Sequence, residues 1–170
     1  ALRVSPTQVT IPSGGWGSFN RGRLDCLAAL QTIPPSEPPS VNLNQHGLTG
    51  LWYQPSTNGQ GFAIEVFPNL NGPGQGLLSG GWFTYVPGSP GGVGTQRWFS
   101  LQGDVSSTQG TANLVIYRSV GGKFDASPII QPTAVGTASI RFSDCTNGVF
   151  TYSFNSGVPE VGGFSGTINL

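Results

Sequence analysis

From residue 49 onward the chain is a regular succession of short β-prone runs, each closed by glycine, proline or asparagine, and that rhythm leaves few folds open. Eight runs stand out: 49–54, 60–67, 76–86, 95–103, 111–119, 133–143, 149–155 and 161–169. Alternation gives the runs two faces. Phe62, Ile64 and Val66 share one side, opposite Ala63, Glu65 and Phe67; Ala138, Ile140 and Phe142 oppose Ser139 and Arg141. Asn147-Gly148 suits a tight hairpin turn because both residues tolerate positive φ. "PNLNGPGQG" and "PGSPGGVGT" read as longer turns, and 120–132 is the longest connection. With hairpin-sized connections and no crossover helix, the pattern predicts an all-β, eight-stranded antiparallel meander. Closed, it is an up-and-down barrel whose interior holds side chains or one small ligand; the competitor is a barrel-like two-sheet sandwich.

The first 47 residues are different. "ALRVSPTQVTIPSGGWGSF" reads as an extended arm, with Pro6 and Pro12 confining it to an edge. Residues 20–31 carry the one helical signal, Leu24, Leu27, Ala28 and Leu30 recurring behind a capping Asn20. "TIPPSEPPS" is a stiff linker. The expected organisation is therefore an arm, short helix and Pro-rich linker over 1–47, packing on a β-domain over 48–170.

Composition narrows the function classes. Charged residues are 8% of the chain, against about 25% in a typical globular domain. No apolar run approaches the roughly 20 residues of a membrane span. Seven basic and seven acidic residues give no net charge and no basic cluster, which argues against nucleic acid as a partner. A neutral surface also offers little resistance to self-association. The chain begins at Ala1 and contains no methionine, as a mature exported product would. Cys26 and Cys145 read either as two buried thiols or as a disulfide, and the otherwise extracellular composition favours the bridge. It would close a loop of about 120 residues, worth on the order of 4–5 kcal/mol in the chain-entropy picture.

Three aromatic pairs, Trp52-Tyr53, Trp82-Phe83 and Trp98-Phe99, fall within one run of strands. On a strand, one member of each pair faces away from a single core. Inward members fill the barrel. Outward members either pack beneath the N-terminal segment or form a strip on which a carbohydrate or apolar ligand stacks, with nearby amides supplying hydrogen bonds. The candidate ligand-binding residues are Trp52, Tyr53, Asn58, Gln60, Trp82, Tyr85 and Trp98, with Gln96 and Gln102 alongside. "PSTNGQGF" is a bulged hairpin loop or a recognition loop at the barrel mouth.

Catalysis has little to work with. His46 is the only histidine and sits in a linker-like segment; no GxSxG elbow is present. Asp104, Asp125 and Asp144 fall near turns, where aspartate commonly bonds to backbone. "DCTNG" and "GGKFD" lack the dense oxygen spacing of a calcium loop, and "GSPGGVG" lacks the Lys-Ser/Thr and helix of a phosphate loop. The reading is noncatalytic, with no metal and no cofactor.

The motifs "GLWYQPSTNGQGFAIEV", "LLSGGWFTY", "RWFSLQG", "LVIYRSVGGKFD" and "VGTASIRFSDCTNGVFTYSFN" together resemble a β-domain common in secreted proteins of proteobacteria, often repeated or attached to secreted hydrolases. The likeness covers 48 to about 160. It implies an extracellular or cell-surface location and brings no established activity. Cys145 departs from that family's aspartate-rich turn, which supports a bridge back to the added N-terminal segment. A looser, topological likeness to avidin-type barrels implies no biotin site. Two functions are expected from this reading. One is a secreted binding or accessory domain for a glycan, cell-surface or apolar ligand. The other is a structural subunit of an extracellular filament or surface assembly joined through its N-terminal arm.

Overall fold

A computed structural model of the protein describes residues 41–170. The expected arm over 1–19, the helix over 20–31, the Pro-rich linker over 32–40 and Cys26 lie outside the described residues. The described part is one antiparallel sheet of eight strands in sequence order, curled into a half-barrel. The strands are β1 (Gly50–Trp52), β2 (Gly61–Gly72), β3 (Gln75–Tyr85), β4 (Gln96–Ser106), β5 (Thr111–Arg118), β6 (Thr133–Phe142), β7 (Gly148–Phe154) and β8 (Ser165–Asn169). β1 and β8 do not pair, so among the described residues the meander keeps two edges. No helix among the described residues is long and apolar enough to cross a membrane.

The alternation read from the sequence decides which face is inside. Phe62, Ile64 and Val66 of β2, Leu78 and Trp82 of β3, and Phe99, Leu101 and Val105 of β4 are all buried on the concave face. The curl brings distant strands into contact across it. Trp52 of β1 meets Phe142 of β6 with ring centroids 4.6 Å apart, and Trp82 of β3 meets Phe150 of β7 at 5.2 Å. Segments flanking the strands plug the openings: Leu43 and Leu48 from before β1, and Val161 from the β7–β8 connection, are fully buried. Asn44 fastens its segment to the sheet. It donates to Asn69 Oδ1 at 2.9 Å and accepts from the Asn69 backbone N–H at 2.9 Å.

The sheet bends where neighbouring backbones come closest. β4 pairs with β5 only over Ser100–Gln102 and Val115–Tyr117. At the adjacent Gly103 a Cβ would lie 2.1 Å from the Asn113 carbonyl oxygen. That is impossible without moving a strand, so glycine is required there.

Three local expectations are corrected. "PNLNGPGQG" is not a long turn: β2 runs on to Gly72 and the hairpin reverses at Pro73-Gly74. An irregularity between Phe67 and Gly72, with Asn69 in the left-handed region (φ 59°), absorbs the extra residues, and Asn69 Oδ1 accepts from the Gly74 N–H at 2.8 Å. The β6–β7 turn is not built on positive φ at Asn147-Gly148, since neither residue adopts it. Asp144 builds it by accepting from the Thr146 N–H (2.7 Å), the Thr146 hydroxyl (2.8 Å) and the Asn147 amide (2.9 Å). β8 begins at Ser165 rather than 161, because Val161 is consumed as a core plug and Gly162 folds back to bond the Val158 carbonyl at 2.8 Å.

Cys145 lies exposed in the β6–β7 turn with a free thiol. Cys26 is outside the described residues, so the expected Cys26–Cys145 bridge finds no support here.

Candidate functional site

The three aromatic pairs split between the faces, but not in phase. Trp52 and Trp82 point inward, with Tyr53 and Phe83 outward; in the third pair the order reverses, Phe99 inside and Trp98 outside. The strand register lines up the outward members. Trp52 pairs with Phe62, which sets Tyr53 beside Gly61; Gly61 pairs with Phe83, and Phe83 pairs with Trp98. Tyr53, just past the end of β1, thus forms one row on the convex face with Gly61 of β2, Phe83 of β3 and Trp98 of β4.

Each ring in that row is about half exposed: Tyr53 52%, Phe83 51%, Trp98 54%. Glycine explains why. Gly61 separates Tyr53 from Phe83 with no side chain, and its Cβ would stand 3.1 Å from the Tyr53 Cβ. The Phe83 ring reaches back over Gly81, whose Cβ would meet Cζ at 3.1 Å. Rings laid on bare backbone keep their outer faces toward solvent. Beside the row runs a groove of about 460 Å³ lined by Gly59, Phe83, Tyr85, Val93, Arg97 and Trp98.

Arg97 falls in the inward phase of β4 with Phe99, opposite Trp98, and its charge is neutralised. The Arg97 guanidinium donates Nε–H to Glu160 Oε2 at 2.9 Å and closes a second bond to Oε1. Arg118 adds a third to Oε2 at 2.7 Å. Hydrogen bonds from Arg97 first, then Arg118, hold the Glu160 carboxyl well below its ordinary range, at about 2. Glu160 sits at φ 72°, and these two arginines fix the β7–β8 connection to β4 and β5.

The remaining sequence candidates go elsewhere. Trp52 is structural: its indole N–H donates to the Leu48 carbonyl at 3.0 Å and its ring packs on Phe142. Asn58 Oδ1 accepts from the Gly59 N–H at 2.9 Å and shapes the β1–β2 loop. Gln60 accepts from the Thr84 hydroxyl at 2.7 Å at the mouth of the half-barrel. Trp82 is the hub of the core, 4% exposed, with Phe62, Phe99, Phe150, Tyr152 and Phe154 around its ring. It has no face to offer a sugar. Tyr85 ends β3 between the mouth and the outer groove. Phe83 is the residue the sequence reading left out of its candidate set. Its signal was present in "GGWFTY": an inward Trp82 obliges Phe83 to face out.

Comparison with protein-family models, with curated proteins and with solved structures returns no match to this chain. The geometry of the convex row is therefore what defines the site: a half-exposed aromatic strip carried by β3, β4 and the residue that follows β1, beside a shallow groove.

Proposed function

We propose that the protein is a secreted, noncatalytic binding or accessory domain that takes a neutral carbohydrate on the Tyr53–Phe83–Trp98 row. The observation that carries this reading is the register itself, which sets three half-exposed rings in one line, Tyr53 just past β1 and Phe83 and Trp98 on β3 and β4. Apolar sugar faces stack on aromatic rings, and rings fixed by a sheet lose little freedom on binding. Gln96 and Gln102, both exposed, supply donors and acceptors at the margin. Arg97 is committed to Glu160, which favours an uncharged ligand over an acidic one. Native gel retardation in polysaccharide-containing gels tests it. Wild type is slowed by at least one neutral polysaccharide, and Tyr53→Ala restores its mobility. Unchanged mobility across neutral polysaccharides counts against the reading.

The open sheet favours a second reading, a structural subunit of an extracellular filament or surface assembly. Gly148 and Leu170 exchange both backbone bonds, and the Phe154 N–H bonds to the Phe164 carbonyl. By antiparallel alternation, Ser165, Thr167 and Asn169 turn their backbone groups to the unpaired side of β8. That edge carries no charge, proline or bulge to discourage strand addition. In this reading residues 1–19 of a neighbouring copy supply the added strand. Deleting 1–19 and measuring mass by light scattering decides it. Oligomers lost on deletion support assembly; a monomer with and without the segment eliminates it.

A further inference from the structure

An antiparallel meander sends alternate connections to the same end. Here the β1–β2, β3–β4, β5–β6 and β7–β8 connections leave one end of the sheet, and they are the longer set. Apolar side chains stand out on two of them: Val93 on the β3–β4 connection, and Val120, Phe124 and Ile129 on the β5–β6 connection. Phe124 is fully exposed, and Val93 and Ile129 nearly so. The β5–β6 tip is braced. A Lys123–Ala126 bridge closes it, Asp125 takes the left-handed region (φ 46°), and Ile130 lies against Gly121 and Gly122 at its base. The connections are also tied to their strands and to one another. Arg97 donates to the Gly94 carbonyl at 3.1 Å and Arg118 to the Pro159 carbonyl at 3.0 Å, while both hold Glu160. Single exposed apolar side chains are ordinary, but four at one end of a sheet, on braced loops, mark an interaction surface.

We propose that this end of the sheet docks on the surface of an anionic phospholipid bilayer, with Phe124 and Ile129 entering the headgroup region. Charge selects the occupant. At the loop end Glu160 balances one of two arginines and Asp125 offsets Lys123, which leaves one positive charge. At the opposite end Asp104 and Asp144 outnumber Arg141. That asymmetry turns the loops toward a negative surface and the other end away from it. Shape points the same way. Apolar tips on separate connections ask a protein partner for a matched pocket each, whereas a bilayer interface receives any apolar side chain that reaches it. The chain also enters the described fold from the far end, where Asn44 is bonded to Asn69. Neither Phe124 nor Ile129 belongs to the convex row, so the inference is independent of the glycan reading.

Flotation of the full chain with lipid vesicles tests it. Wild type rises with equimolar phosphatidylcholine–phosphatidylglycerol vesicles and less with phosphatidylcholine alone, and added salt narrows the difference. Phe124→Ser and Ile129→Ser each weaken partition roughly tenfold. Leu70→Ser, which removes an exposed apolar side chain toward the opposite end, leaves it unchanged. Phe124→Trp reports insertion, its emission moving further to the blue on the mixed vesicles than that of wild type. Absence of wild-type flotation, equal flotation on the two lipid compositions, undiminished flotation of both folded serine variants, or no added blue shift overturns the proposal. So does light scattering that shows wild-type dimers, lost in Phe124→Ser, without flotation, because a second copy then covers the loops.

Discussion

Trp82 and Trp98 look interchangeable in sequence, each followed by phenylalanine in a β-run, and the fold assigns them opposite energetics. Truncating each to alanine measures the difference. A tryptophan buries about 150–250 Å² when enclosed. Trp82 is 4% exposed, so nearly all of that is lost, and at about 25 cal/mol per Å² the transfer loss reaches about 4 kcal/mol once the retained alanine is discounted. The cavity left among five aromatic neighbours keeps the figure in the range of about 3–5 kcal/mol seen for aromatic truncations. Trp98 is 54% exposed on the convex face, and its removal opens no internal cavity, so its cost is about 2 kcal/mol, half that of Trp82. Urea unfolding followed by far-ultraviolet circular dichroism separates the two. Trp82→Ala consumes much of a domain's roughly 5–15 kcal/mol, while Trp98→Ala shifts the midpoint about half as far. Equal losses, or a larger loss at Trp98, would refute the inside–outside assignment on which the site rests.

Other consequences follow from particular contacts. Gly103→Ala destabilises by more than about 2 kcal/mol, read by thermal unfolding, because its Cβ meets rigid backbone at Asn113; a neutral result means the β4–β5 bend is drawn wrongly. Acid lowers stability through Glu160 and Asp144. Both carboxyls are depressed to about 2, from 4.5 and 3.8, so their contribution is full above the ordinary values and is lost as pH falls toward 2. Glu160→Gln and Asp144→Asn each flatten the pH dependence of the melting temperature over that window, and an unchanged slope in both would contradict the assigned contacts. Cys145 in native protein reacts with iodoacetamide at full stoichiometry, read by intact mass; protection of Cys145 would reinstate the bridge to Cys26.

The eight strands were legible because hydrophobic alternation and turn residues are local signals, and a sheet in sequence order asks for nothing more. Their ends were less so. Asn69, Asp144 and Val161 decide where strands stop through side-chain bonds or burial that depend on partners elsewhere in the chain. The site was half legible. Alternation requires one outward ring per pair but does not set the phase, and phase is fixed by which face the curl encloses. Hence Trp52 and Trp82 were grouped with Trp98, although the fold puts them on opposite sides. Phe83 joins Tyr53 and Trp98 only through cross-strand register, which no single run of sequence contains.

In the proposed function the convex row, and not the buried aromatic hub, meets the carbohydrate. Calorimetric titration with the neutral polysaccharide that most retards wild type tests this, comparing wild type, Phe83→Ala, Trp98→Ala and, as a control packed against the core, Ile168→Phe. Each outer-row variant loses roughly tenfold or more in affinity with native circular dichroism retained, and Ile168→Phe binds as wild type does. Undiminished binding in folded Phe83→Ala and Trp98→Ala proteins would contradict it.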